Sequence, residues 1–236
     1  MIFDPLFLCF LIPSIVLGFI AQGMVKSRFQ KYSQVRTARG LTGAQVARRI
    51  LDENGLYDVA VEETQGFLSD HYDPRSRVLR LSPAVARQPS VAAVGVAAHE
   101  AGHALQHAKG YVPLQIRSVM VPAVQFGSNL APWIIMGGIF LATLSQLSGV
   151  GLAIAWIGIF AYAAVALFAL VTLPVELDAS ARAKKILYNS MIVDKRELDG
   201  VSSVLNAAAW TYVVAALAAV MQLAYWVIRV MGIHRD

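Results

Sequence analysis

Apolar runs alternate with polar segments along the chain, and three runs contain no charged residue. Pro5 to Val25 is the first, at 21 residues, close to the roughly 20 that a helix needs to cross a bilayer. Ser118 to Val175 holds 58 residues, which is too long for one crossing, and Gln146 to Gly151 within it is rich in turn-forming residues. Gly200 to Ile228 is the third run. Together they predict four transmembrane helices, with the middle two forming a hairpin.

Positive charge is concentrated in the two polar segments between these runs. Residues 26–117 carry thirteen Lys and Arg, and residues 176–199 carry five, so the positive-inside rule places both in the cytoplasm. Arg229 and Arg235 would then lie outside, against the rule, but they are only two charges. The predicted organisation is a first transmembrane helix in 1–25, a cytoplasmic part in 26–117, a transmembrane hairpin in 118–175, a cytoplasmic helix in 176–199, and a fourth transmembrane helix with a tail in 200–236.

The longer polar segment predicts a small α+β domain, so the fold class is a mainly α integral membrane protein with a cytoplasmic α+β domain. Thr42 to Gln45 has the Thr-x-x-Gln form of a capping box and begins a short amphipathic helix. Two-residue alternation at Tyr57–Val61 and Arg77–Leu81 predicts two strands of a small sheet, separated by a turn at Asp73–Arg75. An alanine- and valine-rich helix is predicted over 90–109.

Composition agrees with a membrane protein and excludes several other classes. Hydrophobic residues make up 57% and charged residues 15% of the chain, against roughly 25% charged in soluble proteins. Cys9 is the single cysteine, which excludes a disulfide scaffold. The net charge of +5 is explained by the cytoplasmic segments, so the expected partner is the lipid bilayer and not nucleic acid. Asp4 stands where a signal peptide carries basic residues, which argues against cleavage.

Residues His99-Glu100-Ala101-Gly102-His103 have the HExxH form and lie within the helix predicted over 90–109. Four-residue spacing puts both imidazoles on one helical face, within reach of one metal ion. Imidazole nitrogen is a good ligand for Zn²⁺, and Glu100 would sit beside a metal-bound water as the general base. Two histidines and a glutamate are costly to bury without such a partner. We therefore predict one zinc ion per chain.

A catalytic zinc site needs a third protein ligand beside His99 and His103. His107 extends the row by another turn, but three ligands over two turns span about 12 Å along the axis, too far for one ion. His107 is therefore expected to lie behind the ligands or at the surface. Glu176 is the better candidate because the predicted hairpin returns the chain to the face that it left. Asp178 is the alternative.

Four motifs together resemble the YugP-type bacterial membrane zinc metallopeptidases: Leu68–Arg75, Leu79–Ser82, Ala97–Gln106 and Pro174–Ser180. A more distant similarity is to the HtpX-type membrane proteases, which are gluzincin-like. The resemblance implies a zincin-like catalytic domain in a multi-pass protein of the bacterial inner membrane. It also implies two His and one Glu on zinc, an active site facing the cytoplasm, and protein or peptide substrates.

One position departs from the HtpX-type pattern, and other roles stay open. The acidic residue common four positions after the ligand glutamate is Ser180 here, which leaves the support of a zinc histidine from that position undecided.

His71, Tyr72 and Arg182 are candidates, in that order, for stabilising the transition-state oxyanion. A turn rich in capping side chains explains His71 and Tyr72 equally well. The Arg77–Leu81 strand is expected to hold an extended substrate by edge pairing.

Three classes of function fit a membrane protein with this motif. The leading hypothesis is a zinc-dependent endopeptidase acting on proteins at or near the cytoplasmic membrane face. The alternative is a non-catalytic zinc-binding scaffold that binds membrane proteins, although the retention of Glu100 argues against it. A transporter or channel would be expected to carry charged residues within its spans, and the predicted transmembrane runs of this chain contain none.

Overall fold

A computed structural model of the chain describes residues 4–66 and 69–233. Residues 1–3 of the predicted first helix, Leu68 of the YugP-like motif and tail residues 234–236 lie outside this description. The described part is mainly helical, with a small sheet. The elements are α1 Pro5–Ser33, α2 Gly43–Glu53, β1 Ala60–Glu63, β2 His71–Asp73, β3 Val78–Leu81, α3 Pro83–Ala86, α4 Val91–Ala108, α5 Val112–Ala142, α6 Ser148–Asn189 and α7 Lys195–Gly232.

Three of the described helices, α1, α6 and α7, are long and apolar enough to cross a membrane, judged by length and composition. Helix α5 consists of two parts, Val112–Gln125 and Gly127–Ala142, which meet at 47°. The predicted number of four spans therefore requires this bent pair to act as one crossing. A 3-10 turn at Ser145–Leu147 joins α5 to α6, at the start of the segment in which the hairpin turn was predicted.

The chain divides into two compact units. The apolar unit takes Met1–Phe19, Ile116–Leu173 and Tyr212–Asp236, and the polar unit takes Ile20–Gln115 and Pro174–Thr211. In the apolar unit, α5 and α6 approach closely: a Cβ added to Gly138 would lie 2.4 Å from the backbone nitrogen of Ala155, too close for any side chain. Glycine is therefore required there for the two backbones to touch.

The core of the polar unit is built on α2 and α4. Thr42 and Gln45 form the predicted capping box, with the Gln45 side chain reaching back to the Thr42 N–H at 2.9 Å. Val46, Ile50 and Leu51 form a completely buried stripe along the predicted amphipathic helix, and Asn54 caps its C-terminal end. These apolar side chains pack in one cluster with α4, so the short helix is stabilised by burial more than by its own length.

The sheet has the order β1-β3-β2, with β1 parallel and β2 antiparallel to β3. The first strand begins at Ala60 and not at Tyr57, and Arg77 lies before β3 with a φ of 55°. A third strand over His71–Asp73 occupies a stretch for which the sequence suggested only a turn. The expected edge pairing of the Arg77–Leu81 strand with a substrate is wrong, because β3 is the central strand and both of its edges are already paired.

Two helices carry the HExxH and Glu176 motifs. Helix α4 begins after Ser90, whose side chain accepts a hydrogen bond from the Ala93 N–H at 3.2 Å, and Gly110 follows its end with a φ of 62°. Both boundaries confirm the predicted helix. Helix α6 runs without a break from Ser148 to Asn189. The second arm of the hairpin and the segment of Glu176 are therefore parts of one helix.

Candidate metal centre

Helix α4 presents His99 and His103 on one face, one turn apart. Their ring centroids lie 4.8 Å apart, and the rings are nearly perpendicular at 83°. Alanine, which has the highest helix propensity, is frequent in the turns around them, and most residues of α4 are buried. The two imidazoles are thereby held on a rigid element, as a metal site requires.

Glu176 of α6 lies directly against these two rings. Its Oε2 is 3.1 Å from His99 Nε2 and 3.5 Å from His103 Nε2. One ligand atom from each of the three residues lies within 4.8 Å of the other two. Zinc bonds of about 2.0 to 2.1 Å in a tetrahedron separate their ligand atoms by about 3.3 Å. The donor set and the spacing to the carboxylate therefore fit a zinc ion.

The close approach of α4 and α6 depends on Gly102, which lies between Glu100 and His103. A Cβ at Gly102 would stand 2.8 Å from the backbone oxygen of Ala179. Gly102 and Ala179 are both buried. Ala179 follows Glu176 by three residues and so lies on the same side of α6. The structure shows that a glycine on the opposite helix is needed as well.

The second nitrogen of each imidazole also has a partner. Ser180 Oγ lies 3.1 Å from His99 Nδ1, so the position without an acidic residue still contacts a histidine. Gln106 Oε1 lies 3.0 Å from His103 Nδ1. Burial lowers the pKa of His103, but the hydrogen bond that its imidazole donates to Glu176 and the charges of Glu100 and Glu176 outweigh this effect and raise the pKa above its ordinary value.

Glu100 is buried, with 9% of its surface exposed. It follows His99 directly on α4, and its negative charge acts on His103. A carboxylate in this position is suited to accept a proton beside a metal ion held by the two histidines.

The candidate oxyanion donors lie in different surroundings. His71 is exposed at the start of β2, with Nδ1 2.8 Å from the Ser69 backbone oxygen. Tyr72 is buried on the same strand, and burial raises the pKa of its hydroxyl. That hydroxyl lies 2.9 Å from His107 Nδ1. His107 is thus engaged by Tyr72 and not by the three ligand candidates, as its position on α4 led us to expect.

Arg182 and Asp178 pair with each other on α6. Arg182 Nε donates to Asp178 Oδ2 at 2.5 Å, and the guanidinium stands over the Tyr111 ring at 5.8 Å. The carboxylate of Asp178 therefore faces Arg182, whereas that of Glu176 faces the histidines. The structure brings Glu176, and not Asp178, into contact with His99 and His103.

Gln106 and Asp70 make contacts near the site that were not predicted from the sequence. Gln106 follows His103 by three residues, a spacing that places both on one helical face and could have revealed the contact. Asp70 accepts hydrogen bonds from the Ser82 N–H at 2.7 Å and from the Ser82 hydroxyl, and burial raises its pKa. These bonds tie the start of β2 to the start of α3, and no short-range pattern indicates them.

Comparisons with known proteins agree with this site. A family model described as "Putative neutral zinc metallopeptidase" matches residues 7–231. A protein of Bacillus subtilis (strain 168), "Putative membrane protease YugP", is 47% identical over 218 residues, which are 92% of this chain and 93% of that protein. No solved structure matches significantly.

Replacing Gly102 by Ala tests the close approach of the two helices. The added methyl would push α6 away from α4, and overpacking of this kind costs about 1 to 3 kcal/mol. We expect a lower melting temperature and at least a tenfold loss of zinc affinity, measured by chelator competition. Gly137→Ala is the matched control, since a Cβ there meets nothing within 4 Å. Unchanged zinc affinity in Gly102→Ala would show that the contact is not required.

Proposed function

The chain belongs to the family of neutral zinc metallopeptidases described above, and we propose that it is a membrane-bound zinc endopeptidase. In this proposal it hydrolyses peptide bonds of protein substrates at or near the cytoplasmic face of the bacterial inner membrane. The observation that carries the proposal is the contact of the Glu176 carboxylate with the Nε2 atoms of His99 and His103. Three protein ligands leave the fourth position of a tetrahedral zinc site open for water, as in catalytic sites.

The residues around the site supply the remaining parts of the reaction. When bound, zinc polarises a carbonyl oxygen and makes its bound water more acidic. Glu100 takes the proton of the attacking water and delivers it to the leaving amine. Burial of Glu100 strengthens its interactions with these charges, because the surroundings screen them less than water does. His99, His103 and Glu176 hold the site and exchange no proton.

His71 is the preferred candidate for stabilising the oxyanion. Nδ1 of its exposed imidazole lies 2.8 Å from the Ser69 backbone oxygen, so Nε2 is the nitrogen with which it would contact a substrate oxygen. Tyr72 ranks second because its hydroxyl already contacts His107, and Arg182 ranks third because Asp178 engages it. An extended substrate would pair with β1 or β2, the strands at the edges of the sheet.

The membrane part of the proposal rests on charge and hydrophobicity. The three apolar helices and the bent α5 pair are consistent with membrane association. The distribution of Lys and Arg supports a cytoplasmic location of segments 26–117 and 176–199. The partners of this chain are therefore lipid and a protein or peptide substrate.

Zinc content tests the ligand assignment. We expect one zinc per purified chain, and a sharp loss in His103→Ala because two remaining ligands bind zinc weakly. His107→Ala, one helical turn away on α4, is the matched control and should retain zinc. Full zinc occupancy in His103→Ala would contradict the assignment.

Glu100→Gln tests the general base. The amide preserves the shape but cannot accept the proton, so zinc should be retained while peptide hydrolysis falls at least about 10²-fold. Proteomics of cells carrying either form should reveal fragments that require Glu100, and Glu53→Gln at an exposed position of α2 is the control. Parent and Glu100→Gln cells with identical fragments would favour the non-catalytic scaffold.

Cysteine labelling tests the topology in a background in which Cys9 is replaced by Ser. Single cysteines at Gly55, Ser148, Asn189 and Asp236 should react as inside, outside, inside and outside, respectively. Impermeant reagents applied to intact cells and to inverted vesicles distinguish the two sides. Opposite sides for Gly55 and Asn189 would contradict the cytoplasmic active site, because α4 and the end of α6 belong to the same polar unit.

A further inference from the structure

Gln106 lies completely buried at the contact of the two helices that carry the zinc ligand candidates. Its side chain makes three hydrogen bonds, one within α4 and two to α6. Oε1 lies 3.0 Å from His103 Nδ1. Nε2 donates to the Val175 backbone oxygen and to Asp178 Oδ2, each at 2.8 Å. The amide therefore uses both of its donor hydrogens and its acceptor oxygen inside the protein.

The two bonds from Nε2 determine which way the amide faces. Val175 O and the Asp178 carboxylate only accept hydrogen bonds, so the NH₂ group must point to them. The carbonyl oxygen of Gln106 then faces His103, and it can only accept. His103 Nδ1 must consequently carry a proton, so the neutral imidazole offers the lone pair of Nε2 to a metal ion.

The same amide fixes the helical turn that presents Glu176. Val175 precedes Glu176 by one residue and Asp178 follows it by two, so the NH₂ group holds α6 on both sides of the ligand. Asp178 is itself held by Arg182, at 2.5 Å. A rotation or a shift of α6 against α4 that moves Glu176 away from the histidines would therefore also disturb these two bonds.

We propose that Gln106 is a positioning residue of the zinc site, oriented by Asp178, that sets the tautomer of His103 and the placement of Glu176. The inference rests on the proposed function, because it concerns the affinity of that same site for zinc. A zinc histidine commonly donates its second N–H to a carboxylate, a backbone carbonyl or water, and loss of such a partner costs about 10- to 100-fold in metal affinity. Here a neutral amide performs this part, and its orientation depends on a carboxylate of the facing helix.

Two variants remove the network at different points. Gln106→Met keeps the length of the side chain and removes all three hydrogen bonds. Asp178→Ala leaves Gln106 in place and removes one of the two acceptors that orient it, at a partly exposed position where folding is less sensitive. Asp178→Asn retains an amide oxygen for Gln106 Nε2 and is the conservative rescue. Gln115→Met, at an exposed glutamine, is the matched control.

Zinc affinity of the purified full-length chain is measured by chelator competition, and the coordination by the visible spectrum of the cobalt-substituted protein. We expect Gln106→Met and Asp178→Ala each to lose about 10- to 100-fold in zinc affinity and to change the cobalt spectrum. Asp178→Asn should recover most of the loss, and Gln115→Met should match the parent. A purely structural role would lower the melting temperature of the metal-free protein and leave both readouts of the folded protein unchanged.

The outcomes separate this inference from the proposed function. Suppose that the parent chain binds zinc, and that Gln106→Met and Asp178→Ala have zinc affinities within threefold of the parent and unchanged cobalt spectra. This result overturns the role of Gln106 and leaves the peptidase proposal intact. If Gln106→Met does not fold, Asp178→Ala decides by the same criteria. A parent chain that binds no zinc overturns the proposed function and this inference with it.

Discussion

The contact between α4 and α6 at Gly102 and Ala179 is the constraint on which the candidate site depends. The backbones approach so closely that no side chain fits between them. Only this separation allows the short carboxylate of Glu176 to reach two imidazoles at 3.1 and 3.5 Å. The candidate ligands can therefore be placed only if the small residues of the two helices pack closely. A site built on two helices also gains the rigidity of both.

Close packing also creates an electrostatic problem that the surrounding residues solve. A carboxylate and two imidazoles are buried together, and isolated polar groups in an apolar interior cost several kcal/mol each. Every ring nitrogen of His99 and His103 has a polar neighbour, supplied by Glu176, Ser180 and Gln106. The polar groups of the cluster are thus satisfied by one another and by Ser180 and Gln106.

Short-range patterns were sufficient to predict much of the fold. The capping box of α2, the N-cap Ser90 of α4 and the apolar helices follow from interactions within a few residues, which a sequence displays directly. The spacing of His99 and His103 follows from helical periodicity. The strands were less accessible: β2 has three residues, too few for an alternation, and the central place of β3 depends on partners far along the chain.

By itself the sequence determined the membrane character, the helix with the two candidate metal-binding histidines and the family, because composition, periodicity and motifs are properties of the chain. It also indicated Glu176, through the motif around it and the expected return of the hairpin. The tertiary structure decided that Glu176 and not Asp178 faces the histidines, that Ser180 still supports His99, and that Gln106 joins the two helices. These facts depend on the rotation and separation of α4 and α6. Contacts between residues some 70 to 80 positions apart establish that arrangement.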